Sequence, residues 1–459
     1  MKVKLENPNF TQDYLRNLLA ARGVENFEEF LCPTSKYLES PSNLEFVDKG
    51  VELLRDTIQE NKPILLVVDC DCDGFTSSAI IYQYIKKHAP EIEIEYVLHE
   101  GKQHGLEDTI DKIIAQEKTY GLVILPDSSS NDYEYHERLG ELGIPCLVLD
   151  HHLADPPFSD NAVIINNQLS PRYNNKALTG AGVAYQFCRR YDEVCGTNFA
   201  DELIDLAALG VIGDMGSVLD MENRYIITKG LSNVKNYFFK TIAIKQAYSI
   251  TKQMASSWSE IQNHLTPITV AFYIVPLINA MIRVGTQAEK SRLFLGLING
   301  HEMVPCNKRG AKGTMEEVAV ESVRECVNAR THQNKDKESA VARIESKIFK
   351  YDLLENQILF VRLDDEDVFP PVLNGLVATQ LAEKYKHPTI VARLNDDGMI
   401  KGSIRGVSNS EFNNFRSYLN DTGLFEFVQG HESAAGCAIP EKNLRKLHEL
   451  ANKDLSEYN

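Results

Sequence analysis

Three short apolar runs, each closed by an aspartate, constrain this chain more than any other feature. They are Pro63–Asp69 (PILLVVD), Leu122–Leu125 followed by Pro126 and Asp127, and Cys146–Leu149 followed by Asp150. Runs this short and this continuously apolar read as strands buried on both faces. Ala162–Ile165 is a further run of the kind, and Ile92–Leu98 alternates apolar with acidic residues as a half-exposed strand would. A helical stretch from about Thr76 to Lys87 lies between the first two strands. The alternation predicts an α/β domain with a mostly parallel sheet and helices on both faces. Ligands bind such sheets beyond the carboxyl ends of the strands. A single strand-end aspartate commonly just caps the next helix, but three at one edge mark a site.

The chain has 459 residues with 43% hydrophobic and 25% charged, an ordinary globular composition that excludes disorder and points to two or three domains. Its formal charge of −17 argues against duplex binding through a broad basic face. It leaves open a nucleic-acid enzyme whose acidic groups hold metal ions. The apolar stretch Ile268–Ile282, interrupted by Pro276 and Asn279, reads as too short to span a bilayer. The N-terminus lacks an apolar signal core, and nine cysteines form no C-x-x-C pair. Reduced thiols in a soluble, cytoplasmic protein are the expectation.

Residues 1–45 read as short helices, with Thr11 capping a segment that carries Tyr14, Leu15, Leu18 and Leu19 on one side. The α/β pattern of 46–232 gives way to a helical connector, 233–338, in which the polar segments 307–318 and 331–338 read as loops or helix ends. A smaller α/β domain, 339–459, follows, with strands near Gln357–Arg362, Thr389–Ala392 and Met399–Ser403, a helix near Val377–Lys386 and a closing helix from about Glu441.

Asp69-Cys70-Asp71-Cys72-Asp73-Gly74 is the densest chemical signal. Three carboxylates this close repel at about 1 kcal/mol per pair even in water. The period-two spacing suits an extended strand end turning into a loop, with Gly74 admitting the next helix. A solvated acidic turn is the bland alternative; a helix–loop–helix calcium loop needs a glycine and a distal glutamate at offsets this segment lacks. Asp150-His151-His152 follows its own strand, Asp127 lies between the two motifs, and Asp214 ends the apolar run Leu209–Gly213. Five aspartates and at least one histidine at one sheet edge suit Mn²⁺ or Mg²⁺ better than structural zinc. Two such ions sharing a carboxylate can activate a hydroxide for in-line attack on phosphorus.

The order DxDxDG, strand-end Asp, Asp-His-His and GDxGSVxxMENR resembles the DHH phosphoesterase family, and within it the RecJ-type single-strand exonucleases. The similarity extends to ARGVENFEEFLCP near the N-terminus, His104-Gly105-Leu106, Leu178–Ala184, Pro276–Arg283, Asn374–Ala378, Lys401–Gly406 and Gly430–Gly436. The last three blocks resemble the DHH-associated C-terminal domain. The resemblance implies two Mn²⁺ ions, with Mg²⁺ as the substitute, among Asp69, Asp71, Asp73, Asp127, His151 and Asp214. Asp127 bridges; Asp71 and Asp73 lie on different ions, and His151 and Asp214 share the second. Asp69 either ligates or orients a metal-bound water. His152 faces the scissile phosphate or the leaving oxygen, and Asp150 orients a histidine. Arg405 forks onto a phosphate with help from Ser403, Gly430 lets backbone approach the nucleotide, His431 touches a phosphate, and Arg283 contacts substrate or braces an interdomain cleft.

Departures from the family pattern include Ser128-Ser129-Ser130 after Asp127, Gln429 and Gly406, and the cysteines Cys70 and Cys72 between the aspartates. Both cysteines read as small packing residues with side chains away from the metals. The chain ends soon after the closing helix, so an additional oligonucleotide-binding barrel is not expected, and a single-strand-binding or replication and repair partner compensates for the lost grip. The resulting expectation is a monomeric exonuclease acting 5′ to 3′ on single-stranded DNA in preference to RNA, without a membrane, releasing mononucleotides. The alternatives are a phosphodiesterase of di- and oligoribonucleotides and a non-catalytic single-strand-binding scaffold.

Overall fold

A computed structural model describes residues 12–100, 103–107, 109–115, 118–311, 313–364, 369–407 and 414–456. The expected cap Thr11 lies outside them. The chain divides into two compact units, Met1–Val327 and Asn328–Asn459.

The first unit is organised by five strands: β1 Ile64–Val68, β2 Ile94–Leu98, β3 Leu122–Pro126, β4 Cys146–Asp150 and β5 Ala162–Asn166. They pair in parallel in the order β2-β1-β3-β4-β5. Strands β1, β3 and β4 are buried at every position, which is why they are apolar throughout. Strand β2 occupies an edge, and all five of its residues, Glu95 among them, remain partly exposed. The chain leaves β1 toward β2 on one side and returns to β3 on the other, so the sheet reverses direction between β1 and β3. The carboxyl ends flanking that reversal carry Asp69 and Asp127, where an open α/β sheet leaves a crevice.

Helices Cys72–His88, Gly180–Cys195 and Ile204–Gly213 pack together beside the sheet. The last is buried over almost its whole circumference, so its apolar run LGVIG is helical rather than a sheet strand. By length and mean hydropathy (1.6) alone the slightly longer stretch Pro267–Val284 would pass for a membrane-crossing helix. In the fold it is two helices, Pro267–Tyr273 and Val275–Val284, that break at Ile274. Polar segment 331–338 is not a loop: it lies inside a 33-residue helix, Val318–Lys350. That helix contains no Gly or Pro, and Val323, Cys326, Ala340, Ile344 and Ile348 bury one stripe of it. Segment 307–318 includes a second strand of a small hairpin, β6 Met303–Pro305 with β7 Met315–Glu317, which sequence reading missed.

The second unit holds a mixed sheet of β8 Leu359–Leu363, β9 Thr389–Leu394, β10 Met399–Arg405, β11 Phe427–His431 and β12 Ala434–Pro440, in the order β11-β12-β10-β9-β8. Only β8 and β9 are parallel. Its core joins Ile390, Ile400, Ile404, Cys437 and Ile439 to Phe415, Leu419, Leu447 and Ala451 of the helices Phe415–Asp421 and Leu444–Asp454. The segment around Gly430–Gly436 is thus a strand hairpin. Its small residues have low strand propensity, which pairing to β10 overrides.

His136 is fully buried in the first unit, and neither ring nitrogen has a hydrogen-bond partner among the described residues. Burial therefore holds its pKa below 6.5. Above that value the ring is neutral in both states; as pH falls below it, the unfolded chain takes up a proton that the native state refuses, and stability is lost. His136→Leu is expected to lessen the drop in thermal midpoint between about pH 7.5 and about pH 5.5, measured by calorimetry on the two proteins side by side.

Candidate metal centre

The site is assembled at the carboxyl ends of β1, β3 and β4. After β1 the chain does not continue extended, as the period-two spacing predicts; it turns at once into the helix Cys72–His88. Asp71 is that helix's N-cap, its Oδ1 accepting from the Asp73 N–H at 2.8 Å and the Gly74 N–H at 3.0 Å. Gly74 is required by closeness: a Cβ there would lie 2.6 Å from Cβ of Asp69. Asp73 falls in the first turn and is buried. Its Oδ1 accepts from Thr179 Oγ1 (3.0 Å) and the Ala181 N–H (3.0 Å), and its Oδ2 from the Gly180 N–H (2.7 Å). These donors form the N-terminus of the helix Gly180–Cys195, whose dipole favours an anion.

Asp127 follows β3 in the left-handed region, φ 66°, which an aspartate tolerates better than most residues. His151 follows β4 and points Nε2 at three carboxylates: Asp127 at 3.1 Å, Asp214 at 3.7 Å and Asp73 at 4.0 Å. Asp214 comes to this cluster from the C-cap of the helix Ile204–Gly213, so the site is not confined to a sheet edge. The donor atoms fall into overlapping groups, each within 4.8 Å: Asp69–Asp71–Asp127, Asp127–His151–His152 and Asp73–His151–Asp214.

Asp150 is buried behind the histidines. Its Oδ1 accepts from the His151 N–H (2.7 Å), the His152 N–H (3.2 Å) and His152 Nδ1 (2.8 Å), and its Oδ2 from the Ser130 N–H (3.1 Å). Burial alone would raise its pKa, but the hydrogen bond from His152 and the nearby imidazoles hold it well below the usual range. His152 is half-exposed; its partial burial is outweighed by the same bond and by Asp150, Asp69 and Asp214, which push its pKa up to about 9.

The remaining carboxylates are electrostatically frustrated. Burial, then the charge of Asp214, raises Asp73 to about 7; burial, then Asp71, raises Asp214 to about 6. Asp69 and Asp127 are raised as well, chiefly by burial. Each also holds one buried oxygen, Oδ1, without a hydrogen-bond partner, that of Asp127 lying against His151 Nε2 at 3.1 Å. Buried carboxylates gathered this closely are costly unless cations share them. Hard oxygen donors with one or two imidazoles fit Mn²⁺ or Mg²⁺.

Sequence reasoning assigned no role to several residues that build this site. His104 places Nδ1 2.7 Å from Asp69 Oδ2. Thr179, Gly180 and Ala181 hold Asp73, and Asn279 Oδ1 accepts the Cys72 N–H at 3.0 Å, tying the helix Val275–Val284 to the acidic motif. Each stands in a family-like block, which was the available signal. Cys72 packs in the core, as expected. Cys70 does not turn away: its Sγ lies 3.9 Å from both ring nitrogens of His104. Arg283, in the last turn of its helix, is half-buried and forms no ion pair among the described residues.

In the second unit, Arg405 and His431 both stand opposite Ala434 in the ladder, so they share the face turned away from Ile404 and Ala435. Ser403, two residues from Arg405, shares it too. Arg405 donates through Nε to Thr379 Oγ1 at 3.1 Å and through Nη1 to the Ile404 carbonyl at 2.6 Å. Gly430 is exposed at φ 132° on β11, where a Cβ would crowd Ala434 and Ala435.

Residues 63–211 match the model of the DHH family, N-terminal domain. The whole chain is 37% identical to YorK of Bacillus subtilis, a prophage-derived protein named as a single-strand DNA-specific exonuclease, and spans 77% of it. It is 25% identical over 96% of its length to the single-stranded-DNA-specific exonuclease RecJ of Bacillus subtilis, of which it spans 52%. Among solved structures, RecJ from Thermus thermophilus in complex with Mn²⁺ superposes with a TM-score of 0.70 at 21% identity, over 96% of this chain and 58% of that one. A manganese-bound exonuclease RecJ gives 0.65 at 21% identity, over 91% and 96%.

Proposed function

The chain belongs to the DHH family, in its branch of RecJ-like single-strand-DNA-specific exonucleases, and from that membership we propose that it degrades single-stranded DNA from the 5′ end to mononucleotides. It is a metal-dependent hydrolase; the number of ions and the role of each residue are part of the proposal. The observation that carries the reading is the sharing of Asp127 between the Asp69–Asp71 group and the His151 group, with His151 shared in turn with Asp73 and Asp214. Such overlap suits two adjacent cations with Asp127 between them. When bound, divalent ions supply Lewis acidity toward the phosphate oxygens and the attacking water.

The protein's own groups do the rest. Asp150, hydrogen-bonded to His152 Nδ1, fixes the direction of the ring and favours its protonated form. As the P–O3′ bond breaks, His152 gives a proton to the leaving 3′ oxygen. Arg405, Ser403 and His431 bind backbone phosphates on their common face, Gly430 admits the strand, and Arg283 adds a cation. On this reading 46–232 is the catalytic domain and 339–459 the substrate-binding domain, joined by 233–338 and preceded by 1–45. A monomer acting with a single-strand-binding partner completes the proposal.

Product analysis tests it. Purified protein with Mn²⁺ is offered end-labelled single-stranded DNA, the matched duplex and a diribonucleotide. Mononucleotides from the single strand, with 5′ label released first, are expected; His152→Ala should lower kcat by about 10²–10³-fold with little change in KM. Cleavage of the diribonucleotide alone would replace this reading with the small-substrate one. Binding of the single strand without cleavage would replace it with a scaffold.

A further inference from the structure

We propose that Asp69, Cys70 and His104 form a third cation site, beside the proposed catalytic pair, selective for a thiophilic ion of the zinc type. The three donors lie within 4.8 Å of one another. Nδ1 of His104 is 2.7 Å from Asp69 Oδ2 and 3.9 Å from Cys70 Sγ. Zinc binds nitrogen at about 2.0 Å and thiolate sulfur at about 2.3 Å. The sum of those two bonds exceeds the observed N···S separation, so one ion can span both atoms once the imidazole, whose two nitrogens are now equidistant from Sγ, turns one lone pair toward it.

A further observation points to a ligand here. Asp69 is buried, and its Oδ1 has no hydrogen-bond partner, so this carboxylate has capacity beyond its bond to His104. His104 is half-exposed, which leaves an entry path from solvent. Binding would release the thiol proton to water.

The donor set differs in kind from the neighbouring one. Carboxylates with imidazole accept Mn²⁺ or Mg²⁺, whereas thiolate with imidazole and one carboxylate selects Zn²⁺ or Co²⁺. Asp69 belongs to both groups. An ion held by Cys70 and His104 therefore competes for Asp69 with the ion at Asp71 and Asp127, and zinc becomes an inhibitor of the manganese-supported reaction. The binding claim stands on the geometry alone; the inhibition rests on the proposed nuclease reading.

Co²⁺ titration of the metal-free full chain, followed by absorption, separates the two. Thiolate ligation gives an intense near-ultraviolet charge-transfer band that carboxylate and imidazole sites lack. The band is expected in the wild-type protein and in Cys306→Ser, which controls for the separate Cys306–Glu316–Glu321 cluster. It should vanish in Cys70→Ser and weaken in His104→Ala, both checked for native circular dichroism. A band that survives Cys70→Ser, or no band in the wild type, overturns the site whatever the protein hydrolyses. With the band in place, Cys70→Ser should raise the zinc concentration for half-inhibition of Mn²⁺-supported cleavage at least tenfold. Unchanged zinc sensitivity would overturn the competition for Asp69. Absence of any cleavage by the wild type would instead count against the nuclease reading and leave the Co²⁺ result intact.

Discussion

Replacing Asp127 by Asn should abolish nuclease activity, by about a thousandfold or more, while making the metal-free protein more stable. Asparagine keeps the side-chain shape and tolerates φ 66°, so the backbone turn after β3 survives. What disappears is a buried charge facing Asp73, Asp71, Asp69 and Asp150. Raised carboxyl pKa values mean that the metal-free native state binds more protons than the unfolded chain. For Asp73 and Asp214, pushed to about 7 and about 6, stability is therefore fully retained below the unfolded values and lost as pH rises through 6 and 7. The thermal midpoint of the metal-free wild type should fall across that window, Asp127→Asn should fall less, and added Mn²⁺ should rescue only the wild type. Calorimetry with and without Mn²⁺ checks all three; a metal-free variant less stable than the wild type would refute the charge argument.

Gly180→Ala should be almost as damaging to activity while leaving every titrating group in place. A Cβ at position 180 would lie 2.3 Å from Asp127 Oδ1, and the same residue's N–H holds Asp73 Oδ2 at 2.7 Å. One added methyl therefore displaces two carboxylates at once. The expected cost is about 1–3 kcal/mol of stability from overpacking and about a hundredfold in kcat, since small misplacements at a reacting centre are amplified. Mn²⁺ affinity, measured by calorimetric titration, should fall in parallel. Wild-type metal affinity in a folded Gly180→Ala protein would show that the helix N-terminus does not set the site.

Much of this was legible in the chain. The buried strands announced themselves because a strand covered on both faces must be apolar at every position, and β1, β3 and β4 are. Each ends where an aspartate begins, so the carboxyl edge of the sheet was legible too. The hairpin β11–β12 was not, because Gly430, Ala434 and Gly436 carry no local preference for a strand and extend only when β10 pairs with them. The helical course of 331–338 was hidden for a related reason: apart from the buried Gln333 its residues are polar and exposed or half-exposed, and the apolar stripe that holds them lies on either side.

The sequence by itself determined which residues are candidates for holding a hard cation, and that most of them stand at the carboxyl edge of one sheet. Tertiary structure decided how those charges are made tolerable. Asp73 is anchored by N–H groups more than a hundred residues away, Asp214 arrives from a helix, and His104 and Cys70 meet beside Asp69. Periodicity reports only whether a side chain faces the core or the solvent. Which distant donor completes a buried carboxylate depends on how helices pack across the sheet, and no local pattern encodes that.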